Sequence, residues 1–193
     1  MISLAARDCD EAQRVISNSM TALHTPEPSS QAFKQSKEEL SASTKALLSS
    51  VQNLLSASKS SPDSIGPSAR ALASTFERVM LSSRKVAGSC SSNETKLEVL
   101  TSTQHVGESV HKMVDAARNV SIDSNPTTQK KLQETQKVLN ESLQKLVDSI
   151  SNAEASFDQA LDSIRTVIAH LDSAALFAAS GNWDSFLAES IST

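Results

Sequence analysis

NETKLEVLTSTQHVGESVHKMVDAARNV, residues 93–120, carries two apolar rows where a surface helix carries one. Leu97, Leu100, Thr103, Gly107, Val110, Val114 and Ala117 keep the three-and-four spacing of one helix face, and Val99, Val106, Met113 and Val120 repeat every seven residues beside it. A helix apolar over so much of its circumference needs neighbours on most sides. The stretch therefore predicts the central helix of a helix-on-helix core, and the rest of the chain should supply its cover.

Working outward, the segment before it places Leu72, Phe76, Val79, Met80 and Val86 on one face. It opens at DSIGPSAR, where Pro67 suits a first helical turn because its missing N–H has no intrahelical partner there, and it stops between Gly88 and Asn93. Ser92 or Asn93 can cap the central helix. Further back, Ser29 or Ser30 can cap a segment with Phe33, Leu40, Leu47, Val51, Leu54 and Leu55 inward, which Pro62 should break. A first helix from Ile2 to about Leu23 carries Ala5, Cys9, Ala12, Ile16 and Ser19, and ends at Pro26 and Pro28. After the central helix, SIDSNPTT with Pro126 makes a turn. Leu132, Thr135, Leu139, Leu143, Leu146 and Ile150 then define a fifth segment, and Phe157, Leu161, Ile164, Ile168, Leu171 and Ala175 a sixth, with a stop at Gly181. Six helices and no strand are expected.

Composition agrees. Residues are 38% hydrophobic but only 3% aromatic, with no Tyr and one Trp, so the core must be built of Leu, Val, Ile and Ala. Four Gly and five Pro leave few turns, so the elements must be long. A net charge of −4 argues against a dedicated nucleic-acid binder. Cys9 and Cys90 show no CxxC or Cys/His spacing, so neither a metal site nor a disulfide framework is expected, and a reducing compartment fits. The first residues lack a secretory pattern and no apolar run approaches membrane-spanning length, which predicts a cytoplasmic protein.

Catalysis needs convergent polar groups. His105 and His111 are six residues apart on different faces of a helix, His24 stands in a linker, and His170 neighbours Asp172 on the last segment. No HExxH, GxSxG or phosphate-cradling glycine loop occurs, so no enzyme activity and no cofactor is expected.

The order of motifs is more informative than any one of them. SSPDSIGPSARALASTF (Ser60–Phe76), the Asn-Glu helix start at Asn93 and Glu94, and HLDSAALFAASG (His170–Gly181) together resemble the talin rod. The resemblance implies an up-down four-helix bundle, residues 29–150, inserted between two helices of a neighbouring, incomplete five-helix bundle. Residues 1–25 and 151–180 would be those host helices, and 181–193 the start of a further domain or a frayed tail. It also implies a cytoskeletal adaptor at cell-matrix adhesion sites, linking integrin adhesions to actin.

Three kinds of partner follow from the family. Its vinculin-binding helices have a spacing met here by Val99, Ser102, Thr103, Val106, Gly107, Val110, Met113, Val114 and Ala117. The segments with Leu40, Leu47, Val51 and Leu54, and with Leu132, Leu139 and Leu146, fit nearly as well, because a bundle core and a partner-binding face use the same stripe. Family position selects the central helix, whose side chains must leave the core to bind, and Ser102, Thr103 and Gly107 are expected to ease that release. Acidic LD-motif helices of paxillin or RIAM type would dock between residues 68–87 and 96–120, with Arg78, Arg84, Lys85, Lys112 and Arg118 as the cations. Here MVDAAR departs from the family by offering Asp115 and Ala116 where lysine is expected. F-actin is the third partner. A structural spacer bundle of vinculin or catenin type, without a ligand of its own, is the rival reading.

Overall fold

The computed structural model describes residues 3–24 and 33–180, with side chains described to residue 23 and from 33 to 170. Among them are five α-helices and no strand: α1 (Leu4–Thr21, extended by a 3-10 turn Ala22–His24), α2 (Phe33–Ser60), α3 (Pro62–Ser89), α4 (Asn93–Ile122) and α5 (Pro126–Ser180). The all-helical expectation holds. The linker around Pro26 and Pro28, the caps at Ser29 or Ser30, and residues 181–193 lie outside the described residues.

Two boundaries differ from the sequence reading. Pro62 starts α3 instead of merely ending the segment before it: Ser61 caps the helix by accepting from the Asp63 N–H at 3.3 Å, and Pro62 fills the first helical position. Pro67 consequently lies inside the helix, where its exposed ring faces solvent. The expected fifth and sixth segments are one helix, since Ser151, Asn152 and Ala153 contain no breaker and Ser151 Oγ merely returns a bond to the Val147 carbonyl at 3.1 Å.

Backbone contacts divide the chain into two compact units, residues 1–154 and 155–193. In the first, α2 packs on α3 and α3 on α4. Ser109 of α4 and Ser142 of α5 share a hydrogen bond at 2.8 Å, and Asn152 reaches Glu98 at 2.9 Å, so α4 and α5 run antiparallel. Gln129 donates to the Ser58 carbonyl at 2.9 Å while Lys37 pairs with Glu154, which closes α5 onto α2, also antiparallel. Four helices thus form an up-down ring around Leu40, Leu47, Leu54, Leu72, Phe76, Val106, Val110, Met113, Leu132, Leu139 and Leu146, all fully buried.

Helix α1 joins this unit from outside the ring. It packs against both α3 and α4, burying Ala5, Cys9, Ala12, Ile16 and Leu23. The talin resemblance assigns residues 1–25 to a separate host bundle; in the structure Leu4–Thr21 instead covers the α3/α4 side of the four-helix ring. Its apolar stripe needs cover, which α3 and α4 supply.

The second unit, residues 155–193, is described to residue 180, and its described part is the remainder of α5. Ile164, Val167 and Ile168 are each more than half exposed along it. No described helix is long and apolar enough to cross a membrane.

Candidate functional site: the central helix and the groove beside it

Helix α4 starts where Ser92 accepts the Glu94 N–H at 3.1 Å, with Glu94 in the first turn, where the helix dipole favours an acidic group. Of the nine positions expected to contact vinculin, Val99, Thr103, Val106, Gly107, Val110, Met113, Val114 and Ala117 are buried and Ser102 is half-buried. Their near equivalents on α2 and α5 are buried too, as a shared core requires. The first apolar row, however, does not reach the helix start: Leu97 is 66% exposed and Leu100 only partly covered.

The small residues of α4 do different things from one another. Thr103 Oγ1 donates to the Val99 carbonyl at 2.8 Å, so its buried hydroxyl is satisfied within the helix. Gly107 leaves no void. A Cβ there would stand 2.7 Å from Met20 Sδ on α1 and 2.7 Å from Phe76 Cζ on α3, closer than carbon atoms approach. Glycine at this position admits α1 and the Phe76 ring.

A second glycine does the same at the other end of α1. A Cβ on Gly66 of α3 would lie 2.6 Å from Asp8 Oδ2 and 3.0 Å from Ala5 Cα. Asp8 is buried and faces Arg70 at 3.4 Å; Asp10, two residues on, accepts from Arg118 Nε at 2.7 Å. Near the far end Ser19 donates to Glu77 at 3.4 Å. The pairings set α1 parallel to α3 and antiparallel to α4, seated by two glycine notches and flanked by two arginines.

The five cations expected to line an LD-motif groove do not converge. Arg78 and Lys85 lie with Leu81 on the side of α3 that faces α2, where Lys85 pairs with Glu39 at 2.9 Å. Lys112 lies on the α5 side of α4, beside Lys131 and Val138. Arg118 borders the α3/α4 face, where Asp10 engages it. Arg84 is half-buried on α3. Asp8, Asp10, Arg70 and Gly66 were not singled out from the sequence, and Gly107 was singled out in another role. Their one signal was the acidic pair flanking Cys9 on the first helix's apolar stripe.

Burial pushes the Cys9 thiol up to about 12; Asp10 and Asp8 add to the effect and Arg118 opposes it. Burial likewise raises Cys90, whose Sγ donates to the Val86 carbonyl at 3.2 Å. Both cysteines are free. His105 is exposed, 3.6 Å from Glu108, while His111 is half-buried and His170 exposed. Among the described residues no group of three or more His, Cys, Asp or Glu could hold a metal. What the geometry offers is helix surface, concealed on α4 and occupied between α3 and α4.

A family model described as Talin 1-like, rod segment domain, matches residues 5–157, nearly the whole first unit. Talin-B of Dictyostelium discoideum is 26% identical over 187 residues, which cover 94% of this chain and 7% of that protein. Talin-A of the same organism is 26% identical over 152 residues, covering 77% of this chain and 6% of that protein. The chain therefore spans a small fraction of the length of these relatives. With five packed helices and a family model over most of its length, the chain belongs to the talin-1-like rod segment family.

Proposed function

We propose that this chain is a helical module of a cytoskeletal adaptor, acting in the cytoplasm at cell-matrix adhesions, and that α4 is a concealed binding helix for vinculin. The observation that carries the proposal is the burial of eight of the nine expected contact positions on α4, under α1, α3 and α5. The same side chains cannot sit in the bundle and in a partner at once. Binding then requires release of α4, and apparent affinity for the folded chain falls by the fraction of molecules in which the helix is free. Mechanical tension along the rod is the natural means of release. Serine-rich packing supports this: Ser43 meets Ser82 at 3.1 Å and Ser109 meets Ser142 at 2.8 Å in the interior, where apolar side chains would hold more firmly.

Titration of vinculin head against the full chain and against a peptide of residues 93–122 tests the proposal. The peptide should bind at least a hundredfold more tightly than the folded chain, and Val110→Asp in the peptide should abolish binding. A peptide that fails to bind would leave the spacer-bundle reading. LD-motif and F-actin binding belong to the same proposed role.

A further inference from the structure

We infer that the part of α5 beyond the first unit is a self-association surface, which pairs antiparallel with the same stretch of a second copy of this chain.

The apolar spacing along α5 changes where the first unit ends. Leu143, Leu146, Ile150 and Ala153, all buried, follow alternating steps of three and four residues. The next two steps, to Phe157 and to Leu161, are both of four, and the alternation then resumes at Ile164 and Ile168. Two fours in succession turn an apolar stripe to a new direction around its helix. The stripe past Phe157 is therefore set for a different neighbour from the one that covers Leu146. Leu161, Ile164 and Ile168 are exposed along it, with Val167 exposed beside them. Helix α1, the mate that the talin resemblance implies for this stretch, buries its own stripe on α3 and α4.

The residues flanking the stripe select its partner. With Leu161 and Ile168 as a positions and Ile164 as d of a heptad, Asp158 and Arg165 lie on one flank, and Ala160 and Val167 on the other. In a parallel pair the charged flank of one helix would lie against the apolar flank of its mate, and no ion pair would form. In an antiparallel pair each flank meets its own kind. Leu161 then packs against Ile164 of the second copy, Ala160 against its Val167 and Asp158 against its Arg165, and the two-fold axis makes every contact twice. The stretch is complementary to itself in that orientation. The pair that Arg165 makes within its own helix, to Asp162 at 3.0 Å, is about three-quarters exposed on both sides and competes only weakly. Eleven residues, 158–168, span about 15 Å of helix. So short an interface falls below the roughly 1,200 Å² at which lasting complexes begin. The dimer is accordingly weak, forms as local concentration rises, and leaves α4 inside each bundle.

Sedimentation equilibrium of the full chain over about 10 µM to 1 mM, where weak complexes dissociate, tests the inference. The unmutated chain should pass from monomer to dimer, and Ile164→Asp should stay monomeric with an unchanged urea midpoint. Asp158→Arg and Arg165→Asp, each alone, place like charges opposite one another and should weaken the dimer about tenfold or more, whereas an equimolar mixture of the two should recover it. A monomer at every concentration, or a dimer that Ile164→Asp leaves intact, would overturn the surface. Single charge variants that pair as tightly as the unmutated chain, or a mixture that fails to recover, would overturn the antiparallel pairing.

Discussion

Arg118 of α4 donates from Nε to Asp10 Oδ1 of α1 at 2.7 Å, and this pair ties the first helix of the chain to its central one across 108 residues. Both side chains are about one-third exposed, so the pair is screened by solvent and salt. A double-mutant cycle with Asp10→Asn and Arg118→Gln should give a coupling of about 0.5–1 kcal/mol that shrinks in high salt. Urea denaturation followed by circular dichroism measures it. A coupling of zero at low salt would remove this pair from the forces that seat α1.

Gly107→Ala should destabilise the chain although alanine is the better helix former. The gain in helix propensity is about 1 kcal/mol, whereas forcing a methyl against Phe76 and the Met20 thioether costs about 1–3 kcal/mol. Hydrogen exchange should show the loss concentrated in α1. Thr103→Val should have the opposite sign, a gain below about 1 kcal/mol, because the hydroxyl it removes bonds only to its own helix. Thermal melts of the two single variants check the opposed signs.

Ser83 is fully buried on α3, and its Oγ has no hydrogen-bond partner among the described residues. Removing the hydroxyl removes a desolvated group that nothing compensates. Ser83→Ala should therefore stabilise the chain by about 1 kcal/mol, read as an increase in the urea midpoint at unchanged slope.

The Cys9 thiol is held neutral to about pH 12 in the folded chain, well above its ordinary value of 9.0. The unfolded chain thus releases this proton first as pH rises. Stability contributed by the buried thiol is fully present below about pH 9 and is lost as pH climbs toward 12. Chemical denaturation between pH 8 and 11 should show a steeper alkaline decline for the native chain than for Cys9→Ala, whose side chain does not titrate. Parallel declines would contradict the shift.

Periodicity made the helices legible because it is a local property. Phe33, Leu40, Leu47 and Leu54, and likewise Leu132, Leu139 and Leu146, are buried where their spacing places them. The chain's ends were less legible. Ser151 to Ala153 interrupts the apolar pattern without containing a breaker, so a lapse in spacing resembled a boundary that the backbone does not have. Pro67 resembled a helix start because proline is tolerated there, and only the cap at Ser61 fixes the true start. The site depended on tertiary facts. Gly107 is read from sequence as a weak point, and becomes a notch only once Met20 and Phe76 are found against it. Placing Asp8 and Asp10 opposite Arg70 and Arg118 requires knowing that α1 lies between α3 and α4, a choice of groove that no stripe of alanines specifies.

In the proposed function α4 is a core helix first and a ligand only after release. Single-molecule stretching of the full chain, cycled with and without vinculin head, tests it most directly. Vinculin head should leave the first unfolding step unchanged and then block refolding, and Val110→Asp and Met113→Asp introduced together should remove the block. Refolding that proceeds at the same rate with vinculin head present, or vinculin head bound to the chain before any extension, would contradict it.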